Sequence, residues 1–289
     1  MRLLVTILAI AAYCEGAFLH SSPAVLTNTA KRKCSCTCSA RGRTPRRTTP
    51  SHRSNNSSTN AKSNPKDVVP PLDQYDFSSL NGWDQFYTHQ QQRQQDHFEW
   101  HSSIPHSFII EELQPRQNIL IVGNGNSRLP FDIYTHFDSD VNITVVDYSQ
   151  PCIDFLRNAH QASCPSIQFV CGDATNLEQI IHTQCTHGES VQYDIVIDKG
   201  LMDAMMCTDG WDGEGNVKKY FHEVGKVLNF RKDFVQTGGG KIVLVAYRLS
   251  SSTRDFLEEL GRDIGVEWEE DEKRGNGRVS FLIGTPLKR

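Results

Sequence analysis

Four short stretches of this 289-residue chain carry residue types whose spacing suits ligand chemistry. The first, Ile121 to Ser127, reads IVGNGNS, and glycines at 123 and 125 let the backbone turn sharply and come close to a ligand. N–H groups beyond such a turn point into the crevice at a strand end. The second is Asp147, 22 residues past Gly125, where a carboxylate can accept both hydroxyls of a ribose. The third is Asp173 with Ala174, placed to read an adenine amino group, and the fourth is Asp198-Lys199-Gly200, placed where a reactive group would sit. Packing alone does not call for three acids at successive strand ends, because buried charges need partners. The pattern therefore points to an adenosine-bearing ligand. Arg128 replaces the third glycine of G-x-G-x-x-G, which weighs against a dinucleotide.

These positions need a sheet to hold them. Apolar strand-like runs alternate with helical patterns, the signature of βαβ units and a parallel sheet. The spacing predicts strands over 118–122, 143–146, 167–171, 195–197 and 241–247, each of the first four ending at a candidate site. Helices are predicted over 128–137, 151–161, 217–230 and 252–264, the last capped by Ser251 or Ser252. Beyond them, 266–270 and 278–283 flank Gly275-Asn276-Gly277, an antiparallel hairpin signal. Ahead of the sheet, Tyr75 to Trp100 reads as a helical extension with aromatic anchors, interrupted by the polar run Gln90 to Gln95. Five strands in a βα series closed by a hairpin differ from the dinucleotide-binding fold, whose second half repeats the parallel pattern.

Specific strings sharpen the reading. WDQFY (Trp83 to Tyr87), FEW (Phe98 to Trp100), GNGNS, VVDYS (Val145 to Ser149) and IDKGLMDA (Ile197 to Ala204) resemble the class I S-adenosyl-L-methionine-dependent methyltransferases that modify lysines of elongation factor and of citrate synthase. The resemblance covers most of Tyr75 to Tyr247. It implies an α/β fold: a Rossmann-like seven-stranded methyltransferase sheet, mostly parallel with an antiparallel C-terminal strand, flanked by helices. It also implies S-adenosyl-L-methionine as cofactor. By resemblance, Gly123, Gly125, Asn126 and Ser127 serve the methionine part, Asp147 and Tyr148 the ribose, Asp173 and Ala174 the adenine, and Asp198 and Lys199 the active-site edge. The chain departs from the usual strings at Asn124, where cysteine is usual, at Gly82, where tyrosine is usual, and at Leu201-Met202, where Thr-Leu is usual. The change at 82 bears on substrate choice more than on the cofactor.

A lysine acceptor must lose a proton before it can attack, and desolvation beside a sulfonium depresses its pKa. On this reading Asp198 orients the cofactor's amino group or the incoming amine, and Trp83, Phe98 and Trp100 wall a lysine channel by stacking and cation–π contact, with plain core packing as the alternative. The stretch TDGWDGEGN (Thr208 to Asn216) reads as an acidic, glycine-rich loop, either a lid anchored by Trp211 or an idle surface segment. The histidines form no metal pattern: His222-Glu223 lacks the second histidine of H-E-x-x-H, and His89, His97, His101 and His106 read as solvated or core side chains.

Charge divides the chain in two. Residues 16–66 contain no acid, whereas 67–289 hold nineteen basic against thirty-three acidic residues, near −14. An acidic domain binds nucleic acid poorly without specific contacts, so a basic protein is the better partner and no nucleic-acid partner is expected. Arg2 followed by the apolar run Leu3 to Tyr13 reads as a signal-peptide core, and the basic Ser/Thr-rich tract behind Ala17-Phe18 reads as a transit segment. In series they resemble the two-part presequence of algae with complex plastids, which implies a plastid address; a mitochondrial presequence and the secretory pathway are the alternatives. The expected organisation is a disordered presequence over 1–66 and a domain over 67–289, extension 67–115 included, with no stable membrane association after processing. Cys34, Cys36 and Cys38 lie in the presequence, and the five domain cysteines include no C-x-x-C pair, which suits free thiols. Other readings of the domain are a small-molecule methyltransferase, a catalytically silent cofactor-binding module and a nicotinamide oxidoreductase.

Overall fold

The computed structural model describes residues 72–93, 97–184, 192–207, 211–230 and 240–287. The presequence expected over 1–66 lies outside them.

The interior strands are apolar over most of their length, as strands covered on both faces must be. β1 (Asn118–Val122), β2 (Asn142–Asp147), β3 (Ile167–Cys171), β4 (Ile195–Lys199) and β5 (Lys241–Tyr247) run parallel, and β6 (Val266–Glu270) and β7 (Val279–Pro286) complete a seven-stranded sheet in the order β3-β2-β1-β4-β5-β7-β6. β7 is antiparallel to both β5 and β6. This is the expected Rossmann-like sheet. Its registers pair Val122 with Val146 and with Asp198, Asp147 with Cys171, and Lys199 with Val245. The carboxyl ends of five strands are therefore level, and the loops leaving them share one edge.

Helices cover both faces. On one side lie α1 (Leu80–Gln92), α2 (His106–Ile110), α3 (Leu129–His136) and α4 (Gln150–His160), in a core that joins Tyr75, Trp83, Phe86 and Tyr87 to Ile119, Ile121, Ile143 and Val145. On the other lie α5 (Leu177–Gln184), α6 (Leu201–Met206), α7 (Trp211–Val227) and α8 (Ser251–Ile264), whose Val217, Tyr220, Phe221, Val224, Leu257 and Leu260 pack on Leu120, Val122, Val196 and Leu244. None of the helices among the described residues is long and apolar enough to cross a membrane.

Three expectations are corrected. The stretch from 211 to 216 is helical instead of a loop, because Val217, Tyr220, Phe221 and Val224 form an apolar stripe at helical spacing and the helix propagates upstream through two glycines. At its other end α7 stops at Val227 instead of Phe230, where Leu228 bridges to Tyr193. The cap of α8 is Ser250, whose Oγ accepts from the Thr253 N–H at 3.1 Å, one residue earlier than predicted. The pattern also passed over α5, which buries only Leu177 and Ile181.

Candidate active site

The glycine turn is built around positive φ angles. Gly123 and Gly125 have φ of 59° and 54°, in the left-handed region that costs other residues roughly 1–2 kcal/mol. A Cβ on Gly123 would stand 2.7 Å from that of Leu201, and one on Gly125 would overlap the Tyr87 hydroxyl. The turn is thus squeezed between α6 and α1. From β2, the buried Asp147 braces it: Oδ2 accepts from the Gly125 N–H at 2.8 Å and Oδ1 from the Ser149 N–H at 3.0 Å. Burial outweighs these two bonds and pushes the Asp147 carboxyl up to about 6.

A cavity of about 360 Å³ opens over the strand ends. Its floor is Gly123, Val146, Asp147 and Tyr148, with Gly172 to Thr175 at the β3 side and Lys199 to Leu201 at the β4 side. Its roof is aromatic and comes from the segment ahead of the sheet: Tyr75, Phe77, Trp83, Tyr87 and Trp100. Trp83 is the keystone, with its ring 4.6 Å from Phe77 and 5.7 Å from Trp100 and its Nε1–H donating to the Phe77 carbonyl at 3.0 Å. Gly82 makes this roof possible. A side chain there would collide with the Asp76 carbonyl, so the departure at 82 lets the 72–79 turn fold back over α1.

Of the residues singled out by sequence, Gly123, Asp147, Tyr148, Asp173, Ala174, Lys199, Trp83 and Trp100 border this one cavity. The others are placed differently. Gly125, Asn126 and Ser127 are buried in the turn behind the wall; the Asn126 carbonyl pairs with His97 Nδ1 at 2.8 Å, and the Ser127 hydroxyl donates to Glu99 Oε2 at 2.8 Å. Phe98 packs against Phe86 and Trp100 as core. Asp198 is fully buried and does not face the cavity, because its carboxylate accepts from the Leu201 N–H at 2.8 Å and the Met202 N–H at 3.1 Å, holding the start of α6. Burial and the neighbouring Asp203 push its carboxyl up to about 7. Trp211 opens α7, and its side chain, like residues 208–210, lies outside the described set.

Sequence reasoning missed Glu99, His101 and Asp203. Glu99 gathers Lys199 Nζ at 3.0 Å, His106 Nε2 at 3.1 Å, the Ser127 hydroxyl and the Arg128 N–H at 2.7 Å. Burial works against the charge of Glu99, but these donors win and hold its carboxyl at about 2. Lys199, which also donates to the Trp100 carbonyl, is therefore a structural cation as well as a wall residue. His101 Nε2 lies 2.8 Å from Asp203 Oδ2, and both side chains border the cavity. Glu99 and Asp203 sat inside the strings FEW and IDKGLMDA; what hid them is that Lys199 and His101, which they engage, lie 100 and 102 residues away.

The site fits an adenosyl ligand. Its volume falls within the roughly 300–1,000 Å³ of small-molecule pockets. Each Asp147 oxygen keeps a lone pair beyond its one N–H donor, as ribose hydroxyls require. Behind the wall, the buried amide oxygens of Asn124 and Asn126 have no hydrogen-bond partner among the described residues.

The chain is similar in sequence to known methyltransferases. Over 164 residues, 55% of this chain, it is 27% identical to the eEF1A lysine and N-terminal methyltransferase of Bos taurus. Over 166 residues it is 26% identical to the mouse EEF1A lysine methyltransferase 4, covering 60% of that protein. Over that region the chain is similar to protein methyltransferases. The matched region spans about a fifth of the length of the Bos taurus relative, 21%. Among solved structures, an O-methyltransferase family protein from Burkholderia thailandensis aligns with TM-score 0.48 at 12% identity, covering 73% of this chain and 62% of that one. No family model matches this chain.

Proposed function

We propose that this chain is an S-adenosyl-L-methionine-dependent methyltransferase whose acceptor is a protein amine, most simply a lysine side chain. The observation that carries the reading is a single cavity joining a buried strand-end carboxylate, Asp147, to an aromatic roof closed by Trp83 and Trp100. When bound, the cofactor supplies an electrophilic methyl group on a sulfonium.

The chain's own residues do the rest. Asp147 and Tyr148 hold the ribose, Asp173 and Ala174 border the adenine, and the turn at 123–127 receives the amino-acid end. Trp83, Tyr87 and Trp100 exclude water from the transfer point and line the approach of an alkylammonium, which aromatic faces attract by about 0.5–2 kcal/mol. The Bos taurus relative is named an eEF1A lysine and N-terminal methyltransferase and the mouse one an EEF1A lysine methyltransferase. A protein acceptor is the counterpart proposed here.

The test incubates the full chain with methyl-labelled S-adenosyl-L-methionine and either purified eEF1A or a cell extract, beside calorimetric titration with the cofactor, its demethylated product and NAD. A discrete labelled protein band supports the reading. Label confined to small molecules, or cofactor binding without transfer, points instead to a small-molecule enzyme or a silent module. Binding of NAD in preference to the methyl donor ends the proposal.

A further inference from the structure

Three elements converge on one carboxylate at the β4–β5 side of the cavity. Asp203 lies in the first turn of α6, and its Oδ2 takes two hydrogen bonds at 2.8 Å, from His101 Nε2 in the segment ahead of the sheet and from the Tyr247 N–H at the end of β5. A carboxylate can only accept, so Nε2 carries the hydrogen. Among the described residues, both bonds that Asp203 accepts fall on Oδ2, which leaves Oδ1 for a guest. His101 has an unfavourable backbone conformation, with φ of 51°, of the kind that persists only where the surroundings over-determine it.

Among the described residues, the other acids at the wall accept hydrogen bonds only from a turn beside them and do not tie three separate elements together. Asp147 braces the glycine turn, Asp173 caps the turn after β3 through the Thr175 N–H, and Asp76 holds Ser78 at the outer roof. Lys199 is neutralised by Glu99. Asp203 stands across β1 from the ribose-binding position and shares the cavity with Trp100. We propose that Asp203 is the group that binds the acceptor amine, and that His101 is a positioning residue that aims its Oδ1 at the transfer point. This rests on the methyl-transfer reading above and deepens it: the site selects a primary amine over a hydroxyl or carboxyl acceptor because an anion waits where the nucleophile must stand.

Sinefungin provides a test that needs no acceptor protein, since it carries a primary amine where S-adenosyl-L-methionine carries its methyl group, whereas S-adenosylhomocysteine has no charge there. Affinities of both for the full chain are measured by calorimetry in wild type, Asp203→Asn, His101→Ala and His101→Gln. The expected result is that Asp203→Asn and His101→Ala each lower the sinefungin-to-S-adenosylhomocysteine affinity ratio about tenfold, a difference of roughly 1.4 kcal/mol. His101→Gln, which can still donate to Asp203, restores it. A ratio unchanged in the folded variants, or equal losses for both ligands, overturns the assignment. The two His101 variants decide the matter if Asp203→Asn does not fold. Wild type that binds neither ligand overturns the methyl-transfer reading itself, a result distinct from an unchanged ratio.

Discussion

Replacing Glu99 by Gln tests whether the segment ahead of the sheet is welded to the site by charge. Glu99 is the shared acceptor of Lys199, His106, Ser127 and the Arg128 N–H, with its side chain 24% exposed and that of Lys199 only 6%. Its carboxyl sits at about 2 against an ordinary 4.5, and each unit corresponds to 1.36 kcal/mol, so the folded state favours the anion by about 3 kcal/mol. Removing one partner of a buried pair costs about 3–5 kcal/mol in general, and the two figures agree. For a domain of this size, about 3 kcal/mol lowers the Tm by roughly 6–12 °C. Thermal unfolding of the full chain at pH 7, followed by near-ultraviolet circular dichroism, measures it. The sign with pH follows from the lowered carboxyl: the contribution is fully present above about pH 4.5 and is lost as pH falls toward 2, so wild type and Glu99→Gln should converge in acid. Adding Lys199→Met to the variant should recover most of the loss, because no unpaired buried charge is then left. A single variant that melts within about 2 °C of wild type at pH 7 refutes the account.

Three smaller tests bear on other parts of the frame. Gly125→Ala should cost more than the roughly 1–2 kcal/mol of left-handed backbone strain, and less in a Tyr87→Phe background, because the new methyl group meets the Tyr87 hydroxyl; equal costs in both backgrounds, read from denaturation midpoints, would contradict the packing of α1 on the turn. Ser250→Ala should lose about 1 kcal/mol by removing the cap of α8, whereas Ser251→Ala and Ser252→Ala should change the midpoint little. Asp147 and Asp198 are raised to about 6 and about 7 in the fold, so the ligand-free chain binds more protons folded than unfolded above pH 4. Their contribution to stability should fall as pH rises from about 4 to 7, and Asp198→Asn should flatten that slope in a series of thermal scans.

The sheet was legible because its strands are short apolar runs punctuated by Gly-Asn-Gly, Asp147, Gly172-Asp173 and Asp198, and short length with such flanks separates a buried parallel strand from a buried helix. That Asp147, Asp173 and Lys199 border one cavity was legible for the same reason, because each stands at or just past the carboxyl end of a strand. What stayed hidden depends on contacts across the chain. His101 looked like one of several histidines in a polar stretch until Asp203, 102 residues later, came within 2.8 Å. Asp198 occupied the expected strand end but faces inward, because the sharp turn at Gly200, φ 99°, brings the α6 amides back over its carboxylate. Spacing locates a side chain on an element; it does not tell which of two neighbouring acids will be used up by the backbone.

That division of labour between Asp198 and Asp203 gives the cavity its electrostatic sense. On the proposed reading two cations must meet in it, a sulfonium and an alkylammonium. At roughly 4 Å, with an effective dielectric constant near 20, they repel by about 4 kcal/mol. A neutral cavity would admit one or the other. Asp76, Asp147, Asp173 and Asp203 all border this one, and the charge of its lysine is held by Glu99. The negative surplus offsets the repulsion on approach, and the aromatic roof then removes the water that keeps the amine protonated. Release of that proton to the departing water ends the repulsion as the nitrogen lone pair becomes available. Acids at the wall and aromatic rings above them thus do sequential work: the first gather two like charges, and the second make it unfavourable for both to persist.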